Sequence, residues 1–309
     1  MNQIEKVEAP WSLEIEMPDT IFYRSKIHGK ERYYFTVNEK MDRAEFFVGT
    51  TSWIKEVYPP SPFLIKWYKT KSEEEIDQIL EDTSSYGTFF HEQVNKFVRY
   101  GEYDMDNAIS DVQVFCEAAG LPVHYWWADK VCNDMLSLNQ LFIEKEIKPI
   151  ASEIVLHSRE PFLRGGSCDF VCEMTFNRKR VVAIIDFKTG QISNDPPNTN
   201  HHAAQLYDYR KMWNELYPDI PVEMVFNWSP TDWRKNPTSG KLVNQTSDEV
   251  EAMYHRRLED AAMMYGGDIK SVRRYGGTLK PGVESGDYDF QSAEEYIIEM
   301  MQDNDFTDE

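Results

Sequence analysis

Apolar and polar positions along this chain hold one period for a stretch and then switch to another. Residues 19 to 50 are rich in Tyr, Phe, Thr and Val around a His28-Gly29-Lys30 turn, which predicts a small strand-rich lead-in, and Pro59, Pro60 and Pro62 punctuate its end. From about Ser72 to Tyr100 the chain is first Glu-rich and then apolar at helical spacing. That predicts helices, the second starting near Thr88 with Phe90, Val94, Phe97 and Val98 turned inward. Ala128 to Phe142 predicts another helix. The period then falls to two: Glu153 to His157, Asp169 to Phe176, Val181 to Lys188 and Val222 to Trp228 read as strands, with an amphipathic helix from about Ala203 to Leu216 before the last. A later helix, Asp248 to Tyr265, and an acidic tail close the chain. This order of elements is that of an α/β or α+β core around a central mixed sheet flanked by helices, with extensions at both ends. The chain divides into a lead-in (1–80), a core (81–228) and a helical extension with the acidic tail (229–309).

Charge changes the picture next. The 309 residues carry 33 basic and 53 acidic groups, a net charge of −20 that at first argues against a polyanionic partner. Half of the excess sits in one place, because residues 283–309 hold ten Asp or Glu and no Lys or Arg. Apolar runs stay far short of the ~20 residues that cross a bilayer, so no membrane partner is expected. The acidic, h-region-free start from Met1 to Glu16 predicts a cytoplasmic protein. Cys116, Cys132, Cys168 and Cys172 make neither a disulfide framework nor a paired CxxC metal site and are expected to be reduced thiols.

Candidate chemistry concentrates between Gly165 and Gly190. Asn177-Arg178-Lys179-Arg180 is a polar segment between two alternating runs, hence a hairpin turn. With the turn centred between Asn177 and Arg178, Asp169 stands directly across from Asp186, and like charges so placed are destabilising unless something compensates. Alternation puts Lys188 on the face of Asp186 and turns Phe187 to the other face, with Ile185 and Ala183. Two carboxylates and an ammonium at a strand end form either a structural ion-pair cluster or a site for a hard divalent cation, Mg²⁺ or Mn²⁺. In the second case cation binding should strengthen with pH, since facing carboxylates titrate as a coupled unit with one pKa raised.

Four short motifs in order carry a resemblance. Gly87-Thr88-Phe89-Phe90-His91, Gly166-Ser167-Cys168-Asp169, Asp186-Phe187-Lys188-Thr189-Gly190 and Gln205-Leu206-Tyr207-Asp208-Tyr209 fall on a predicted helix, strand, strand and helix. In these motifs the sequence resembles the PD-(D/E)XK nuclease superfamily, in its RecB-type branch that includes phage and bacterial exonucleases, over about Tyr86 to Trp228. The resemblance implies a restriction-endonuclease-like core in which Asp169 and Asp186 ligate metal, His91 supplies a further ligand, the peptide oxygen of Phe187 completes the set and Lys188 positions or activates the attacking water. It also implies that Gln205 and Tyr209, which share a helical face, contact the site or the strand. Glu153 stands where relatives often carry an acidic residue, a ligand on that reading and an exposed strand glutamate on the other.

The reading that follows is a metal-dependent deoxyribonuclease, an exonuclease using two Mg²⁺ or Mn²⁺ ions in DNA recombination, repair or phage replication. Its partners are expected to be DNA, as duplex ends or a single strand, and a single-strand annealing or single-strand-binding protein. Absence of a cysteine after Cys172 predicts no iron–sulfur cluster, and absence of a GxxxxGK[ST] loop predicts no use of ATP. A local basic patch must meet the phosphates, with Arg164, Arg178, Lys179, Arg180, Arg210 and Lys211 as candidates. Two alternatives stand beside this: a non-cutting DNA- or protein-binding module on the same fold, and a structure-specific endonuclease.

Overall fold

A computed structural model describes residues 3–6, 11–12, 23–27, 31–37 and 44–265, apart from 102, 191, 193 and 194. The acidic tail lies outside the described residues. Strands β1 (Gln3–Lys6), β2 (Trp11–Ser12), β3 (Tyr23–Ile27), β4 (Glu31–Val37) and β5 (Ala44–Gly49) lead into helices α1 (Thr50–Val57), α2 (Pro62–Tyr68), α3 (Glu73–Tyr100), α4 (Ala108–Ala119) and α5 (Trp126–Lys145). Then come β6 (Lys148–Ser158), β7 (Arg164–Phe176), β8 (Lys179–Phe187), α6 (His201–Leu216), β9 (Met224–Ser229), β10 (Lys241–Asn244) and α7 (Asp248–Tyr265). The result is a mixed sheet flanked by helices, an α/β core.

The sheet runs β1-β3-β4-β5-β7-β8-β9-β10, with β6 on β7 and β2 on β6. Neighbours are antiparallel except β5 with β7 and β8 with β9. One apolar cluster joins Trp53, Ile54, Leu206, Tyr254 and Leu258 to Ile154, Val171 and Ile184, and thus packs α1, α6 and α7 on the sheet. The other joins Phe89, Phe90, Val112, Val131 and Leu138 to Phe170, Ile185 and Phe226, packing α3, α4 and α5. Burial on both faces makes three layers, and both extensions of the core contribute to it. No helix among the described residues is long and apolar enough to cross a membrane.

Two differences from the sequence expectation have physical reasons. The helices expected from Ser72 onward are one helix, α3, started by a capping box in which Glu75 N–H meets the Ser72 hydroxyl and Ser72 N–H meets the Glu75 carboxylate. Gly87 interrupts the helical propensity by ~1 kcal/mol but removes no hydrogen bond, so packing of Phe89, Phe90 and Val94 carries the helix through it. Helices α1, α2 and α4 were not legible as periodic runs; α2 has no buried residue at all.

The β7–β8 hairpin has the expected register, from Phe176 opposite Lys179 back to Phe170 opposite Ile185. Its two turn residues, Asn177 at φ 49° and Arg178 at φ 65°, are both left-handed, as a two-residue hairpin of this twist requires. Glycine takes that conformation without the Cβ clash that costs other residues ~1–2 kcal/mol. Arg178→Gly should therefore raise stability by ~0.5–1 kcal/mol after the entropy cost of glycine, read as a higher denaturant midpoint at unchanged m; an unchanged or lower midpoint would show that the turn is not strained.

Candidate metal centre and cleft

The edge of β7 that faces β8 is shared. There β5 pairs with residues 164 and 165, and β8 pairs with residues 170–176. Between these the two neighbours diverge, and a cleft of about 650 Å³ opens over Gly166, Ser167 and Asp169. Crevices form where neighbouring connections leave a strand in different directions, and side chains at that point have no sheet neighbour to cover them.

Registers on either side place three carboxylates in a row across this opening. Ser152 pairs with Phe170 and Ile154 with Cys168, which sets Glu153 across from Asp169; Phe170 pairs with Ile185, which sets Asp186 across from Asp169 on the other side. Glu153 itself is left-handed, at φ 52°, inside β6. A non-glycine residue in that conformation stores ~1–2 kcal/mol, and such strain collects where a side chain must be aimed. Ser167 Oγ donates to Glu153 Oε2 at 3.1 Å and holds the aim. Phe187 points the other way, against Phe170 and Trp228.

From α3, His91 closes the group. Its Nδ1 lies 3.5 Å from Glu153 Oε1 and 3.7 Å from Asp169 Oδ1, and its Nε2 is 3.1 Å from the Phe187 carbonyl oxygen. One ligand atom each from His91, Glu153 and Asp169 lies within 4.8 Å of the others. Histidines that bind metals hand their second ring N–H to an acceptor. In this geometry the Phe187 oxygen, which the resemblance implies as a metal ligand, accepts from the His91 ring and orients it. The Phe187 N–H donates to Asp169 Oδ2 at 2.9 Å.

Asp186, nearly fully buried, is engaged differently. Lys188 Nζ lies 2.8 Å from its carboxylate, and Asn227 Nδ2 donates to Oδ2 at 2.6 Å. Behind Asn227, Gln245 Nε2 donates to Asn227 Oδ1 and Asn200 Nδ2 donates to Gln245 Oε1. Asn200 in turn caps α6 through Ala203 N–H. This buried amide chain ties Asp186 to the start of α6. The role of Asn227 depends on its parallel pairing with Asp186, which no local pattern reveals.

Helix α6 brings Gln205 and Tyr209 into the cleft wall, with Gln205 Nε2 donating to the Tyr209 hydroxyl at 3.2 Å. A Cβ on Gly166 would stand 3.0 Å from that hydroxyl and 3.2 Å from Thr50 Oγ1, so glycine lets the helix close onto β7 here. Two expected phosphate contacts are corrected. Arg164 is wholly buried, its Nε donating to Asp208 Oδ1 at 2.7 Å and its Nη1 bonded to the Glu160 carbonyl. Asp208 also accepts from Thr50, Trp53 and Tyr254, so this pair locks α1, α6 and α7 together and meets no solvent phosphate. Arg210 faces α7, 3.4 Å from Glu251, and is absent from the cleft wall. Arg180 and Lys211 pair with Glu173 and Glu215, and Arg178 and Lys179 sit at the hairpin tip, ~26 Å of strand away from Asp186. The cations that do line the cleft are Lys96, Arg99 and Lys188.

Electrostatics follow from crowding. Burial alone would lower the His91 pKa, but Asp169 and then Glu153 overcome it and raise it to about 9. Asp169 is raised to about 7, first by burial and then by Asp186 and Glu153, against the opposing pull of His91. Lys188 is also raised, the carboxylates of Asp186 and Asp169 outweighing burial, so it holds its proton. His202 is lowered to about 4 by burial and by Lys188, and is a neutral imidazole.

Once His91 and Asp169 have given up their protons, three carboxylates against one ammonium leave an excess of negative charge that a divalent cation fits, and an imidazole with carboxylate oxygens suits Mn²⁺ or Mg²⁺. Such a cation must displace the protons of His91 and Asp169. The logarithm of Mn²⁺ affinity should therefore rise with pH at a slope of about two below pH 7, about one between pH 7 and 9, and level off above. Calorimetric titration in buffers of different ionisation enthalpy counts the protons released; a pH-independent affinity would remove these two groups from the ligand set.

Comparison with known proteins adds little to this geometry. No family model matches the chain, and no curated protein matches it. Among solved structures, one described as "Crystal structure of SSO0001" aligns with 63% of this chain and 88% of that chain at 16% identity and a TM-score of 0.26, a likeness too loose to bear on function.

Proposed function

We propose that this chain is a divalent-metal-dependent nuclease that hydrolyses phosphodiester bonds of DNA, in recombination, repair or replication of a cell or phage. One observation carries the reading: His91, Glu153 and Asp169 converge within 4.8 Å at the mouth of a cleft that also holds Lys188 and Asp186. The arrangement draws three acids and an imidazole into one opening, and Glu153 takes a left-handed backbone to join them.

The proposed cofactor is a pair of Mg²⁺ or Mn²⁺ ions, with His91, Glu153 and Asp169 as ligands of the first and Asp169 with Asp186 as ligands of the second. A divalent cation supplies there the Lewis acidity that phosphodiester hydrolysis needs. The protein's own groups do the rest. Phe187 O fixes the His91 ring through Nε2 and leaves Nδ1 facing the carboxylates. Lys188, protonated, offers fixed positive charge to a phosphate as negative charge develops on it, and cannot itself take a proton from water while Asp186 and Asp169 face it. Asn227 keeps Asp186 turned toward the cleft. Neither ATP nor an iron–sulfur cluster has a part in this scheme, and the cytoplasm is where it would operate.

The test incubates the protein with end-labelled linear and covalently closed circular duplexes, with Mg²⁺ or with EDTA. Mg²⁺-dependent cutting of linear substrate alone supports an exonuclease. Cutting of circles supports an endonuclease, and no cutting of any nucleic acid leaves a binding module.

A further inference from the structure

The cleft runs away from the metal ligands along α3. Thr88, His91, Asn95 and Arg99 line it at spacings of three and four, hence from one face of the helix. From His91 to Arg99 the helix advances ~12 Å. Charge reverses along the way: Glu92 stands at the acidic end, and Lys96 and Arg99 at the far end.

Arg99 is anchored but not neutralised. Its Nε donates to Asn95 Oδ1 at 3.2 Å, which also accepts from Ser152 Oγ at 2.7 Å. Lys188 has Asp186 beside it and Lys96 has Asp111 at 3.3 Å, but among the described residues no carboxylate lies within ion-pair distance of Arg99. In so acidic a chain, a cleft arginine with its fork unspent is matched to an external oxyanion. Next to it, Tyr100 is 75% exposed, and it too lines the cleft.

We propose that Arg99 and Tyr100 form the strand-binding end of the cleft and select an unpaired nucleic-acid strand, Arg99 taking a backbone phosphate and Tyr100 stacking on a base. Stacking on a side chain requires a base whose face is free, which a duplex interior does not offer. The cleft volume of about 650 Å³ lies within the ~300–1,000 Å³ that encloses one small ligand, room for a short stretch of one strand. The inference deepens the nuclease reading by naming the substrate class, and it rests on that reading only for what happens to the strand.

Fluorescence anisotropy tests it on the full chain in EDTA at low salt, with a fluorescein-labelled oligothymidine and a blunt duplex of equal length. Tyr100→Ala should weaken binding of the single strand about tenfold, within the range for loss of one stacked base, while Tyr100→Phe stays close to wild type and duplex binding is unchanged. Arg99→Ala should lower the salt dependence of single-strand binding by about 0.7, one phosphate contact. Equal single-strand affinity of wild type and Tyr100→Ala, an equal loss on duplex, or no single-strand binding by any form would each overturn the proposal. Circular dichroism melts check that the variants fold. Cleavage with Mg²⁺, measured separately, keeps the two readings apart: Tyr100-dependent binding without cutting removes the nuclease assignment alone, and cutting with a silent Tyr100→Ala removes this inference alone.

Discussion

Asp169→Asn should abolish Mn²⁺ binding and lower hydrolysis by at least about 10³-fold, while making the protein more stable at pH 8. Asp169 stands between Glu153 and Asp186 and near His91, so it is the carboxylate common to every proposed ligand set. The amide retains an oxygen for the Phe187 N–H but removes the charge. Loss of one preorganised electrostatic group in a reaction centre costs about 10²–10³-fold, and loss of the cation adds to it. The stability gain follows from the raised pKa. An acid whose folded-state pKa lies at about 7, against ~3.9 in an unfolded chain, ionises more readily when unfolded, so its ionisation weakens the fold as pH rises above the unfolded value. At pH 8 the wild type bears that cost and the variant does not. Near pH 3, where Asp169 is protonated in both states of the wild type, the two forms should melt alike. Melts across pH with calorimetric Mn²⁺ titration check both halves; unchanged Mn²⁺ affinity would sink the ligand assignment, and a variant less stable at pH 8 would show that Asp169 is held by favourable pairing.

The second large effect separates rate from binding. Lys188→Ala should keep Mn²⁺ affinity within a few-fold of wild type yet lose about 10²–10³-fold in hydrolysis, the worth of a fixed charge placed where charge develops. Without cation the variant should lose ~1–3 kcal/mol, since Asp186 keeps its place in the core with its charged partner gone. With affinity so little changed, Mn²⁺ should stabilise the variant and wild type by similar amounts, which leaves the variant the less stable of the two. Single-turnover cleavage alongside metal titration tests this. Wild-type rates in the variant would reduce Lys188 to an ion-pair partner of Asp186.

Much of this centre was legible in the sequence, for reasons that are local. The β7–β8 hairpin was readable because a polar Asn177-Arg178 turn between alternating strands admits few registers, and a slip by one residue would turn Ile184 and Ile185 to the wrong faces. That register alone set Asp169 against Asp186 and Phe187 away from them. His91 was different: it sits among buried Phe90, Val94 and Phe97 on α3, where periodicity describes a core histidine, and only its motif marked it. The phosphate contacts were misjudged because nearness in sequence was taken for nearness in space. Arg164 is a few residues from Asp169, yet it is wholly buried against Asp208 of α6, which Thr50 of α1 also bonds.

Period and turn chemistry therefore determined by themselves the strands β6 to β9, the helices α5, α6 and α7, the facing carboxylates and the place of Lys188, since each depends on interactions within a few residues or across one tight turn. The tertiary structure alone decided the rest. Divergence of β5 and β8 along one edge of β7 opened the cleft, parallel pairing with β9 brought Asn227 to Asp186, and the docking of α3 set His91 against Phe187 and left Arg99 and Tyr100 on the open wall. Those contacts join segments far apart in the chain, and their energy comes from burying two faces of one sheet at once, a condition that no local stretch of sequence can meet or reveal.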